Sequence, residues 1–227
     1  MITERSVNQT KRNRLYAPFR YYLGMIDPAE RRKPGRPPAE AAGAHARVMD
    51  AVYELLQERP ARELTMEMVA KRAGVGKPTL YKWWPSRAAL MLAMFRERVH
   101  ATREPVETGT AEEVIRKRVQ RLVREFNGLF GKVMAGLIAE GQGDPAVLDD
   151  LYTRHMLPSR LETIREIERG KAAGEFAPDA DAALVVDAII APLYFRLLLR
   201  NAPITDEYGE DLVDHALRSV RVAPEAR

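Results

Sequence analysis

The 227-residue chain carries 36 Lys and Arg against 32 Asp and Glu and has no cysteine, which excludes a disulfide framework, a thiolate metal site and a cysteine nucleophile. Its net charge of +4 conceals an asymmetry, because residues 1–38 balance at +6, residues 39–100 at +3 and residues 101–227 at −5. A polyanion is therefore expected to meet the first part of the chain, and the length admits one large domain or two small ones.

Residues 1–38 hold no sustained apolar period and end in Arg31-Arg32-Lys33-Pro34-Gly35-Arg36-Pro37-Pro38, a stretch too rich in proline for helix. They are read as a basic, disordered arm. No continuous apolar run opens the chain, so no secretory signal is expected. Tyr16, Phe19, Tyr21, Tyr22 and Leu23 form an apolar group, either a short docking helix or sequence upstream of the true start.

From residue 39 the pattern turns helical. Val48, Ala51, Val52, Leu55 and Leu56 follow the i, i+3, i+4, i+7, i+8 spacing of an amphipathic helix, which Arg59-Pro60 stops. Thr65 is placed to cap a short second helix, with Glu67 in its first turn and Gly74 ending it. A third helix starts near Gly76, tolerates Pro78 in its first turn and stops at Pro85. Ser86 then caps a fourth, reaching about Arg103. Beyond the linker at 104–110, helices are expected near 111–126, 130–138, 145–171, 180–201 and 206–222. With no alternating β pattern, the fold class is all-α. The domains are the arm 1–38, a helix-turn-helix unit 39–100, and a helical unit 101–227.

The stretch at 65–87, TMEMVAKRAGVGKPTLYKWWPSR, contains two short helices around Gly74-Val75-Gly76. Small Ala70 and Ala73 let them cross closely, and Leu80 and Trp84 point inward. Lys77, Thr79, Tyr81 and Lys82 then lie on the opposite face, suited to a major groove that admits one helix. Trp83 is split evenly between packing and phosphate contact.

Ala73-Gly74-Val75, Lys77, Thr79-Leu80-Tyr81 and Trp83-Trp84-Pro85-Ser86-Arg87 resemble the DNA-binding signature of the TetR family of transcriptional regulators, over about residues 44–97. Leu137-Ile138-Ala139-Glu140 with Asp144-Pro145, and the segment 191–198, resemble that family's C-terminal domain. The resemblance implies phosphate contacts from Thr65, Tyr81 and Lys82. Arg87 stands in place of the usual lysine. Lys77, Pro78 and Thr79 would face base edges, beside Gly76, where the family often has serine. Pro34-Gly35-Arg36-Pro37 resembles an AT-hook core that could lay Arg36 in a narrow minor groove, or is a plain solvated linker.

No enzyme is expected. Gly74-Val75-Gly76-Lys77-Pro78 lacks the first glycine and the Ser/Thr of a phosphate loop, the four histidines are widely spaced, and no nucleophile elbow occurs. No cofactor or metal is expected. Ala182–Leu199 is interrupted by Asp187, Pro192 and Arg196, so a buried helix is expected in place of a membrane span. Being apolar nearly all round, it should bury one side in its own domain and offer the other. Leu212, Val213, Ala216, Leu217 and Val220 give the last helix a second stripe, and the two are expected to build a four-helix homodimer interface, placing two recognition helices ~35 Å apart. A ligand cavity is expected among Phe126, Phe130, Met134, Leu137, Tyr152, His155, Met156 and Tyr194, taking a small, largely apolar effector, with Pro158 and Pro192 kinking their helices to open space. The expected protein is a cytoplasmic, nucleoid-associated repressor that binds double-stranded DNA as a homodimer and is released by its effector. The alternative is a DNA-associated helical adaptor without one.

Overall fold

The computed structural model describes residues 39–98 and 108–222, so the arm and Arg36 lie outside the described residues. Helix α1 (Ala39–Glu58) turns its periodic stripe inward, burying Val48, Val52, Leu55 and Leu56. Pro60 ends it, and a single 3-10 turn at Ala61–Glu63 leads to α2 (Met66–Ala73). Thr65 caps α2 by accepting the Met68 N–H at 3.2 Å, and Gly74 closes it at φ 64°, a left-handed conformation that costs glycine little. Helix α3 (Lys77–Trp83) carries Pro78 in its first turn, where a missing N–H leaves no bond unmade. Helix α4 (Arg87–Arg98) follows, with Ser86 Oγ accepting the Ala89 N–H at 3.1 Å. Leu64, Val69, Leu80 and Trp84 fill the space between these helices.

The remaining helices are α5 (Ala111–Asn127), α6 (Leu129–Gly141), α7 (Pro145–Leu151), α8 (Leu157–Ala172), α9 (Ala182–Leu199) and α10 (Asp206–Arg218). Among the described residues extended pairing is limited to one antiparallel bridge, Phe176 with Arg221. Helix α5 is the hub, touching α6, α8, α9 and α10. Thr110 and Glu113 cap it reciprocally, and the Glu175 carboxylate accepts the Ala111 N–H at 2.9 Å. Those contacts satisfy donors that a helix start leaves open.

Three expectations need correction. Residues 145–171 are not one regular helix: a π-helical turn at Tyr152–Met156 separates α7 from α8. Pro158 sits next to it and lacks the N–H that would have continued the ladder. The last helix ends at Arg218, and Val220 and Val222 lie beyond it. Finally, Val213, Ala216, Leu217 and Val220 are buried within this chain, where α10 packs on α5. Val213 and Leu217 are fully covered within the chain, while Ala216 and Val220 also line a groove beside Leu184 and Ala188 of α9. Helix α9 does have two apolar sides: Val185, Val186, Ile189, Leu193 and Leu197 face inward, while Leu184, Phe195, Leu198 and Leu199 are exposed. It passes through Pro192 without a break, and it is the one described helix long and apolar enough to cross a membrane by composition.

Candidate DNA-binding surface and its joint to the C-terminal helices

The seven residues of α3 divide cleanly. Leu80 is fully buried and Trp84, its C-cap, is 6% exposed, while Gly76, Lys77, Pro78, Thr79, Tyr81 and Lys82 all face outward. Tyr81 is 47% exposed, a large aromatic that the fold leaves in water. Trp83 packs edge-on against Trp84 at 5.5 Å and lies half-buried. The His45 ring stands 5.0 Å from Trp84 and donates through Nε2 to Glu97 at 2.8 Å, tying α1 to α4 behind α3. Arg47 donates to the Ala73 carbonyl at 3.1 Å, and Arg72 bridges Glu54 and Glu58. The Arg72 hydrogen bond holds the Glu58 carboxyl below its usual range. Such links fix α2 on α1, so α3 is presented on a rigid base.

Two features of this surface escaped the sequence. Lys77 Nζ lies 3.0 Å from the Glu67 carboxylate of α2, and its hydrogen bond lowers the Glu67 carboxyl. Only the turn between the helices brings the two together. Arg87, which stands where the family usually has a lysine and is expected on the DNA-binding surface, is committed inward. Its guanidinium donates to the Arg62 carbonyl at 2.7 Å, more weakly to Ala61 and Leu64 at 3.4 Å, and to the Glu140 carboxylate of α6. The 3-10 turn presents the Arg62 carbonyl to the guanidinium, and Glu140 supplies the opposite charge from α6. At the same joint Gly136 lies so near Ala61 that a Cβ there would be 3.4 Å from the Ala61 Cβ.

The expected effector residues fall into three groups. Phe126, Phe130 and Tyr194 meet in one aromatic cluster, Phe126 to Tyr194 at 4.9 Å, with Phe95 of α4 joining through Phe130 at 5.3 Å. Burial pushes the Tyr194 hydroxyl well above its usual range. Met134 and Leu137 are almost completely buried core residues of α6. Tyr152, His155 and Met156 lie in the π-helical turn, His155 buried and the others half-buried. Among the described residues no group of three His, Asp or Glu is arranged to hold a metal.

A short helix with a buried inner face and a polar outer face, set after a glycine turn on two supporting helices, defines a helix-turn-helix regulator. The family of bacterial regulatory proteins of the tetR type matches residues 48–94, and the Tetracyclin repressor-like C-terminal domain matches residues 105–216. An uncharacterized HTH-type transcriptional regulator of Bacillus subtilis, YdeS, is 34% identical over 190 residues, covering 83% of this chain and 94% of its own. The crystal structure of the TetR family transcription regulator SCO0332 superposes with a TM-score of 0.67 at 29% identity, over 80% of this chain and 99% of that one. A transcriptional regulator from Saccharomonospora viridis, solved in complex with choline, shares the fold at a TM-score of 0.62 and 18% identity, over 80% and 100% of the two chains. The chain belongs to the TetR family of transcriptional regulators, proteins that bind DNA and are not enzymes.

Proposed function

We propose that this protein is a ligand-responsive repressor that binds a palindromic operator as a homodimer and leaves it when a small effector binds. The observation that carries the reading is the outer face of α3. Lys77 and Thr79 reach base edges beside Gly76 and Pro78, while Tyr81, Lys82 and the hydroxyl of Thr65 contact phosphates. Arg87 acts behind this surface, at the joint with α6. Arg36, in the arm of residues 1–38, would add a minor-groove contact. Residues 39–100 are the DNA-binding domain and residues 101–227 the effector-binding and dimerisation domain, working at the nucleoid in the cytoplasm.

The homodimer is supported by the exposed stripe on α9, where Leu184 is 58%, Phe195 54% and Leu199 61% exposed. Leu184, Ala188, Phe195 and Leu198 recur at helical spacing, and a contiguous apolar face of this kind marks an interaction site. Since the α10 stripe is buried in its own chain, α9 supplies the apolar centre of the interface and the exposed residues of α10 supply its edge. The effector is recognised by the aromatic cluster of Phe126, Phe130 and Tyr194, backed by Met134 and Leu137 and flanked by Tyr152, His155 and Met156 of the π-helical turn. Turns of this type recur at functional sites.

Selection of bound sequences from random duplex DNA by the full chain tests the reading. Two inverted half-sites one helical turn apart are expected, together with a dimer by sedimentation. Recovery of single, unpaired sites by a monomer would sink it.

A further inference from the structure

Between the end of α1 and the C-terminal helices opens a cleft of about 1250 Å³, walled by the 3-10 turn, the α5–α6 junction and the loop from α9 to α10. Its floor is apolar, made by Leu56, Phe126, Val133, Leu197 and Ile204, all buried. Around the floor stand Arg59, Arg62, Lys132, Arg196 and Arg200, against one carboxylate, Glu58. That carboxylate is already held by Arg72 at 2.9 Å. Residues 101–227 carry a net −5, yet they contribute three of these five cations, so the positive rim runs against the charge of its surroundings.

Two details point to a ligand. Arg59 Nε is buried with no hydrogen-bond partner although the side chain is 34% exposed, and its terminal nitrogens lie 3.9 Å from Met68 Sδ and from the Glu58 carboxylate. A buried donor of this kind is costly unless something accepts from it. Arg200 is held at φ 51° where α9 ends, a conformation that glycine adopts at less cost. At this place the chain has a cation in glycine's stead.

We infer that the cleft binds a small organic anion, a carboxylate or phosphate monoester with an apolar body, the head group between Arg59, Arg62 and Lys132 and the body on the floor. This rests on the ligand-responsive reading above and gives the effector its charge. Phe126 belongs both to this floor and to the aromatic cluster, so the two adjoin through its ring. The walls belong to both sides of the Arg87–Glu140 joint, so an occupant that fits one spacing better shifts the equilibrium between spacings.

The test uses the full chain with decanoate, decyl phosphate, decanol and decyltrimethylammonium, followed by calorimetry and thermal shift. The two anions are expected to bind and raise Tm, decanol to bind at least about tenfold more weakly, and the cation not at all. Whichever anion binds more tightly identifies the head group. Arg62→Glu and Lys132→Glu change two exposed positions and leave folding intact. Each should weaken the anions about tenfold or more and leave decanol unaffected. Equal binding of anion and alcohol, no binding by any probe, or indifference to both charge reversals overturns the assignment. Operator affinity, read in parallel, separates the two claims. Anions that bind the cleft without weakening operator binding leave the site standing and remove the effector role. A neutral or cationic compound that releases operator while the anions do nothing keeps the effector role and removes the site.

Discussion

Removing the Arg87 guanidinium tests whether the joint at α6 holds as the contacts indicate. Arg87→Met keeps the apolar stem and deletes the bond to Glu140, the 2.7 Å bond to the Arg62 carbonyl and two longer ones. The side chains of Arg87 and Glu140 are 26% and 32% exposed, so water screens the ion pair and about 1 kcal/mol is its share. The Arg62 bond adds ~1 kcal/mol, and the carbonyls at 3.4 Å add little. Arg87→Met should therefore cost ~2 kcal/mol, lowering Tm by about 4–8 °C in a chain of this size. Glu140→Gln removes the charge but keeps an acceptor, and should cost ~1 kcal/mol or less. Denaturant unfolding of the parent, both single variants and the double variant closes a cycle whose coupling term should be ~1 kcal/mol. A coupling below about 0.3 kcal/mol, within the scatter of independent sites, refutes the joint as an energetic link.

Four further outcomes follow from the same contacts. Lys82→Ala should weaken binding to every DNA sequence alike and reduce the slope of log affinity against log salt by about 1, measured by titration at several salt concentrations. Phe195→Asp, which places a charge in the exposed stripe of α9, should shift sedimentation to monomer and weaken operator binding by about 100-fold or more, as avidity is lost. Glu112 and Asp214 share Arg116 and Arg221. Burial raises the Glu112 carboxyl, but hydrogen bonds from Arg221 and Arg116 bring it below its usual range, and Arg116 lowers that of Asp214. With folded values depressed, their stabilisation is present above the unfolded carboxyl values of about 4 and is lost as pH falls through and below them. Acid unfolding of Arg116→Met should consequently show a shallower pH dependence below about pH 5 than the parent. Gly170→Ala would normally strengthen a helix, but its Cβ would press into the Phe176 ring and stand 2.8 Å from the Ala111 Cβ. A loss of about 1–3 kcal/mol in denaturant unfolding is expected.

The helix-turn-helix was legible because its determinants are local. Thr65, Gly74, Pro78 and Ser86 act on backbone within four residues of themselves, and Leu80 with Trp84 declare the inner face by spacing alone. The α10 stripe shows where that reasoning stops. Periodicity reveals that one face of a helix is apolar, but only the packing reveals that α5 of the same chain covers it. The π-helical turn escaped for a related reason, since an extra residue in a turn leaves the composition of the helix unchanged; Pro158 was its one signal. Glu67 and Glu140 were missed because each meets its partner across the fold, 10 and 53 residues away along the chain. The cleft cations are more scattered still, from Arg59 to Arg200, and no window of sequence contains them together.

The contacts also fix how much work an effector must do. Helix α4 follows α3 after three residues, and α4 touches α6 and α7. Helix α6 in turn reaches the 3-10 turn through Gly136 and Arg87 through Glu140. A displacement of α6 is therefore felt on both sides of the recognition helix, at the turn before α2 and at the start of α4. A tenfold loss of operator affinity needs ~1.4 kcal/mol of difference between the two arrangements. The Arg87–Glu140 pair, at ~1 kcal/mol by the share given above, supplies most of that difference. Trading that pair for ligand contacts shifts the equilibrium about fivefold, and the remainder comes from the ligand's preference for one arrangement. Because both protomers of a dimer must hold their recognition helices at groove spacing together, the same difference arising in each would compound to about a hundredfold.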